Sequence, residues 1–389
     1  MSPPLDLTPV DRLEFLILVD NFVEWLSTLP PGFTHELPQH MLDKHVPKDE
    51  LTGLPIVDLD NYCCGAHGLS ILIKTTIGDE KSTVLFDSGP DPRSIERNVQ
   101  AMKVDLTELD AVALSHWHRD HSGGILKALE LRQDQLRKRQ REQTNSSTLH
   151  ENDHESNEDE TVLVDLHPDR PIRRGISRPP DFIPICSLPP DPTFEEIEQR
   201  GGKVQLNNQP HEILNKRGER TGIGISGEIK RVTDFEVGIP GALTWMKDEN
   251  GGGEGGWFND PLIKDERYAV VDVKGHGLVV FSSCSHAGIC NVIHSLQPLN
   301  RPIHAIVGGL HLAPVDKQPA RQTVDFLSRR LEPVPNYILP LHCTGLEPRA
   351  MLREALGNRV VPCGTGISVV WTGTDEEDEQ VEDGFRIVS

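Results

Sequence analysis

The stretch AVALSHWHRDHSGG, residues 111–124, ends a short apolar run with three histidines and an aspartate inside six residues. Side chains of this kind cannot be buried unpaired without a large desolvation cost. A chain that gathers His116, His118, Asp120 and His121 at the end of an apolar run must therefore satisfy them with something. His116 and His118 stand two apart in extended chain and point the same way, while Asp120 and His121, on the turn beyond, can face a neighbouring position. Imidazoles and a carboxylate are ligands for Zn²⁺, or for Fe and Mn. A surface histidine cluster feeding a helix is the plainer alternative, but the apolar run before and the Ser-Gly-Gly turn after argue for a structurally fixed site.

The rest of the chain supplies a frame for such a site. Short β-rich runs at 13–20, 69–77, 82–89 and 111–116 read as buried or half-buried strands. A helix is expected from about Gly124, passing into a polar, disordered insertion over about 131–160. A Pro-rich loop at 178–200 and a Gly-rich loop at 246–262 follow, with a strand at 201–206 between them. Then come strands at 267–273 and 277–286, a helix at 288–296, a strand at 303–312, an amphipathic helix at 321–331 and a strand at 337–345. The expectation is one domain over 1–373 with an acidic, solvated tail over 374–389. Strands that meander and then alternate with helices suit a mixed α/β protein, a four-layer αββα sandwich among other layered folds.

Composition narrows the partners. A formal charge of −21 over 389 residues argues against a nucleic-acid or acidic-membrane surface and leaves a small-molecule substrate as the expectation. Seven cysteines without a CxxC pair do not read as a disulfide framework. The first residues lack a basic signal-peptide region, and no apolar run reaches the ~18 residues needed to cross a membrane, so a cytoplasmic location is expected. Oligomeric state is not legible.

The HxHxDH pattern resembles the signature of the metallo-β-lactamase superfamily. That resemblance implies an αββα sandwich with one or two divalent metals at the sheet edges, two in the full arrangement, zinc being the expected ion and iron or manganese the alternatives. It assigns His116 and His118 with a later histidine to one metal, and Asp120 and His121 with a last histidine to the other, Asp120 also orienting the nucleophile. LFDSG at 85–89 resembles the superfamily's upstream aspartate motif, which makes Asp87 a residue that holds the metal loop by hydrogen bonds. LVDN (18–21), HGLSILI (67–73), LHPD (166–169), SGEIKRVTDFE (226–236), GLVVFSSCSHAGICNVI (277–293), IVGGLHL (306–312) and LPLHCTG (339–345) extend the likeness. Together they are similar to the branch named for 7,8-dihydropterin-6-methyl-4-(β-D-ribofuranosyl)aminobenzene-5′-phosphate synthase.

His286 and His342, each at a strand end, are the best later ligands. His311 is a ligand or a substrate-facing residue, and Cys284 a thiolate ligand or, more simply, an inert buried thiol. His67 and His167 are candidates to line the pocket, and Glu228 and Arg231 to meet a phosphorylated or pterin-like substrate. Three activities follow: a metal-dependent hydrolase of small-molecule esters, thioesters or phosphoesters; a dihydropterin-type transferase displacing diphosphate; and a non-catalytic, metal-stabilised binding protein.

Overall fold

The computed structural model describes residues 5–42, 46–146, 161–178, 180–247, 255–312, 318–374 and 386–388. The strand Arg12–Val19 shows how the layers arise. Leu13, Phe15 and Ile17 face one side and join one core, while Leu16 and Leu18 face the other and join a second. Alternation with apolar residues on both faces is the pattern of a strand covered on both sides.

That strand lies in an eight-stranded sheet, in the order Phe33–Thr34, Ser368–Thr372, Arg12–Val19, Ser70–Ile77, Glu80–Phe86, Ala111–Ala113, Val162–Leu166, Gly202–Leu206. A six-stranded sheet runs His211–Leu214, Arg220–Ile225, Ala269–Val273, Gly277–Ser282, Ile303–Gly309, Tyr337–Leu341. Between the sheets Phe15, Ile71 and Phe86 meet Val271, Phe281 and Leu339, with the Phe15 and Phe281 rings edge to face at 5.2 Å. Outside, helices Pro92–Ala101 and Ile125–Ser146 cover the first sheet, packing Ile95, Val99 and Leu129 with Leu85 and Val112. Helices Ile289–Leu296, Gln318–Asp325 and Leu346–Leu356 cover the second. The layers are αββα, and each fully buried Leu, Ile or Phe contributes about 1.5–3 kcal/mol.

One edge of this sandwich collects chemistry. Glu80–Phe86, Ala111–Ala113 and Val162–Leu166 run parallel, as do Gly277–Ser282, Ile303–Gly309 and Tyr337–Leu341. Their C-terminal ends lead into Asp87, His116, Cys284, His311 and His342, and Arg12–Val19 leads into Asp20 and Asn21. Crevices outside the carboxyl ends of strands are where open α/β sheets hold ligands. The Ser-Gly-Gly turn seats backbone directly on backbone there. A Cβ on Gly123 would collide with the Pro90 carbonyl oxygen, and one on Gly124 with that of Ser88.

Four expectations need correction. The segment 131–160, expected as a helix end passing into a disordered insertion, is helical as far as Ser146, since its strong helix formers outlast its apolar stripe. Residues 147–160 lie outside the described residues. The Pro-rich segment contains a strand, Ile183–Ser187, and a short helix, Phe194–Glu198, started by a Thr193–Glu196 capping box. In the Gly-rich segment Gly256–Asn259 is also a strand. Both strands join Ala242–Met246 and Arg173–Arg178 in a separate four-stranded sheet. Edge strands tolerate proline, which hid this sheet from a reading of turn residues. Finally, Arg386–Ile387 pairs with Leu331–Glu332, so the chain returns to the fold beyond residues 375–385, which are outside the described residues.

Candidate metal centre

Asp87 organises the histidine loop. Its Oδ1 accepts the Ser115 N–H at 2.8 Å, and its Oδ2 accepts the Ser115 hydroxyl and His121 Nδ1–H, both at 2.8 Å, together with the Ser283 hydroxyl. With the Ser115 hydrogen given to Asp87, His116 Nδ1–H donates to Ser115 Oγ at 2.8 Å. Both rings thereby turn Nε2 lone pairs inward, the way a carboxylate commonly orients a ligating imidazole.

Two donor groups result. His116 Nε2, His118 Nδ1 and His286 Nε2 lie 3.0, 3.1 and 3.2 Å apart in pairs. Nitrogen ligands of a tetrahedral ion with bonds near 2.05 Å stand roughly 3.3 Å apart, so the spacing fits a cation. Burial, then mutual repulsion with the other imidazoles, pushes His116 and His286 well below the usual imidazole range. His118 falls to about 4, through burial and then the Arg174 charge. Neutral imidazoles are the ligating form.

The second group is Asp120, His121, Cys284 and His342, whose donor atoms all lie within 4.8 Å of one another. His121 Nε2 is 3.2 Å from Cys284 Sγ and 3.7 Å from Asp120 Oδ2, and His342 Nε2 is 3.2 Å from the same carboxylate oxygen. His342 Nε2 is buried without a hydrogen-bond partner, as befits an atom aimed at an ion. Burial opposes the charge on Asp120, but His121 and His342 outweigh it and hold the carboxyl well below its ordinary range. Burial likewise lowers His121, and Asp120 and Asp87 more than reverse this, raising it to about 9. The donor types and spacings of both groups fit divalent cations.

Cys284 belongs to each group, joining His116 and His286 as well. Its thiol is 2 % exposed and 3.4 Å from Cys343 Sγ, a neighbour that the sequence did not single out. His311 packs its ring 4.6 Å from that of His286, with a buried Nδ1 lacking a partner. Burial lowers its affinity for a proton and Cys343 raises it, the latter prevailing. Asp87, Ser285, His311 and His342 are four of the eight non-glycine residues with positive φ among the described residues. Such conformations cost about 1–3 kcal/mol each and concentrate at functional sites.

The remaining candidates divide. His67 comes to the rim, its Nε2 3.9 Å from Asp120 Oδ2. His167 does not join either donor group: its Nδ1 accepts the Asp169 N–H at 3.2 Å, closing a turn. Glu228 points elsewhere, into a separate cavity of about 460 Å³ with Tyr268 and Leu299. Arg231 spends its guanidinium on the carbonyls of Leu262 at 2.6 Å and His286 at 3.1 Å, so it braces the loop that carries His286. Two residues went unnoticed in the LVDN motif. Asp20 Oδ1 accepts the His342 backbone N–H at 2.6 Å, and Asn21 Oδ1 accepts from His342 Nδ1 at 3.0 Å. A polar pair closing an apolar strand was the available signal.

The chain resembles several known proteins. Residues 66–207 match the model of the metallo-beta-lactamase superfamily. The 7,8-dihydropterin-6-methyl-4-(beta-D-ribofuranosyl)-aminobenzene-5′-phosphate synthase of Methanocaldococcus jannaschii is 25% identical over 292 residues, 74% of this chain and 84% of that protein. A crystal structure described as a metal-dependent hydrolase of the beta-lactamase superfamily superposes with a TM-score of 0.59 at 18% identity, over 92% of this chain and 99% of the other. The metallo-beta-lactamase fold protein YhfI of Bacillus subtilis gives a TM-score of 0.42 at 12% identity, over 93% and 100% of the two chains. No described helix is long and apolar enough to cross a membrane. Residues 66–207 are thus similar to the metallo-β-lactamase superfamily model, the fold resembles that of a solved metallo-β-lactamase-type structure, and the chain is similar to the dihydropterin-type synthase.

Proposed function

We propose that this chain is a metal-dependent hydrolase of an ester, thioester or phosphoester in a small molecule. The observation behind the reading is that Cys284 belongs to both donor groups, which makes the two candidate positions neighbours. His116, His118 and His286 would hold one divalent cation, and Asp120, His121 and His342 the other, with Cys284 between them. Two such ions, zinc or else iron or manganese, would supply Lewis acidity and lower the pKa of a water toward ~7. Asp120, 27% exposed at its side chain and held ionised, accepts a hydrogen bond from the attacking water and so orients it. Asp87 keeps His121 in its inward tautomer throughout. Metal analysis of protein purified without added metal, with a screen of ester and phosphoester substrates, tests the reading. About two equivalents of metal and turnover lost in His116→Ala are expected; less than one equivalent, with an unimpaired variant, overturns it.

The name of the archaeal relative supports a second reading, a transferase that joins a dihydropterin to an aminobenzene ribofuranosyl phosphate. In that case the same side chains would seat a diphosphate leaving group. Incubation with a dihydropterin diphosphate and the phosphorylated acceptor separates the two: a condensed pterin product supports the transferase, and hydrolysis alone supports the hydrolase.

A further inference from the structure

We infer that Asn21 fixes opposite tautomers in two histidines at the rim of the centre, leaving His342 Nε2 a lone pair and making His67 Nε2–H a hydrogen-bond donor to a substrate oxygen. The role of His342 rests on the metal-centre reading above; the tautomers themselves do not.

The Asn21 amide touches three groups. Its Oδ1 lies 3.3 Å from the Gly68 backbone nitrogen and 3.0 Å from His342 Nδ1, and its Nδ2 lies 3.2 Å from His67 Nδ1. Orientation of a side-chain amide is assigned from its partners. The Gly68 N–H can only donate, so the atom facing it is the oxygen. An amide oxygen only accepts, so His342 Nδ1 carries the hydrogen. A neutral imidazole has one N–H, which leaves His342 Nε2 as a lone pair, and that is the buried, unpartnered atom facing Asp120.

The other end of the amide works in reverse. Its NH₂ group only donates, so His67 Nδ1 accepts and the His67 hydrogen sits on Nε2. That nitrogen is 3.9 Å from Asp120 Oδ2, on a side chain 75% exposed and with its ring 5.0 Å from that of His342. An N–H donor thus stands beside the centre with room in front of it. A carbonyl or phosphoryl oxygen of the substrate is the acceptor it suits. Asp20 steadies the arrangement by accepting the N–H groups of His342 at 2.6 Å and Phe22 at 3.0 Å. Asn21 is therefore a positioning residue, and His67 the group that touches substrate.

Selective ¹⁵N-histidine labelling of the full, zinc-loaded chain tests this through two-bond nitrogen–proton correlations, with His67→Gln assigning the signal. His67 is expected as the Nε2–H tautomer in the wild type. Asn21→Asp presents only acceptors and should place a proton on His67 Nδ1; Asn21→Ala should give a mixture of tautomers and lower metal affinity about 10–100-fold. A wild-type His67 protonated at Nδ1, or an unchanged His67 in the near-isosteric Asn21→Asp, overturns the inference. If Asn21→Ala does not fold, Asn21→Asp decides alone. The expected tautomers in a protein without hydrolytic turnover would overturn the hydrolase reading only, and turnover with the wrong tautomer would overturn this one only.

Discussion

The two donor groups of the candidate metal centre share Cys284 and differ in almost everything else. The His116–His118–His286 half is a set of nitrogen donors that burial and crowding keep neutral. The half built on Asp120, His121 and His342 contains a carboxylate and stands against a second carboxylate at Asp87, which accepts His121 Nδ1–H. The three imidazoles of the first half offer lone pairs without charge, so a cation there would meet no anionic donor other than the shared Cys284. The second compensates charge and exposes Asp120 toward solvent. One half is built to polarise and the other to orient, and they can be tested apart.

The largest effect is expected from His116→Ala, which removes one of three nitrogens with no substitute. It should lose about one equivalent of metal and turnover by more than the 10–100-fold that an outer partner costs. Metal analysis beside kinetics checks this, and loss of both equivalents would mean the halves are not separable. Cys284→Ser comes next. A shared thiol predicts weaker binding at both positions, by roughly a hundredfold, in a zinc titration against a competing chelator; weakening at one position would assign the thiol to that half. Asp87→Asn should cost about 10–100-fold, concentrated on the Asp120 half because His121 loses its acceptor. The centre should be least affected by changes at His304, among Tyr337 and Trp371 at the far end of the sandwich. His304→Phe should leave metal content unchanged but alter the acid limb of stability. Burial pushes His304 down to about 4, so the unfolded chain takes up that proton first. The stability it supports is therefore present above about pH 6.5 and falls, by up to about 3 kcal/mol, as the pH drops toward 4. Urea titrations of both proteins at pH 7 and 4.5 measure the difference.

Much of this was legible before any coordinates. Period-two alternation in runs such as RLEFLILV marks both faces of a buried strand, and it led to the right layers. That His116, His118, Asp120 and His121 cluster was legible because they sit within six residues, and the structure brings His286 and His342, each after an apolar run, to the same place. What stayed hidden depends on which strand ends meet in space. Cys284 reads as a ligand or an inert thiol alike until the loop with His121 is placed 3.2 Å away. Asn21 acts on His342 across 321 positions, and no local pattern encodes such a partner. Glu228 and Arg231 failed for the converse reason. Their charge suggested a substrate contact, and packing turned one outward and committed the other to backbone carbonyls. The four-stranded sheet was missed because proline and glycine outweigh weak strand signals when edge strands are short.

The convergence of so many strand ends on one edge also sets a timetable. His116 and His286 are 170 positions apart. At ribosomal rates of about 5–20 residues per second, roughly 10–30 s pass between the synthesis of the first and the arrival of the second. During that interval the histidine loop lacks the partner that completes its donor group, and His342 comes later still. On the proposed reading, capture of metal is tied to completion of the second sheet, and a cation held by both loops would act as a late clasp across the finished fold.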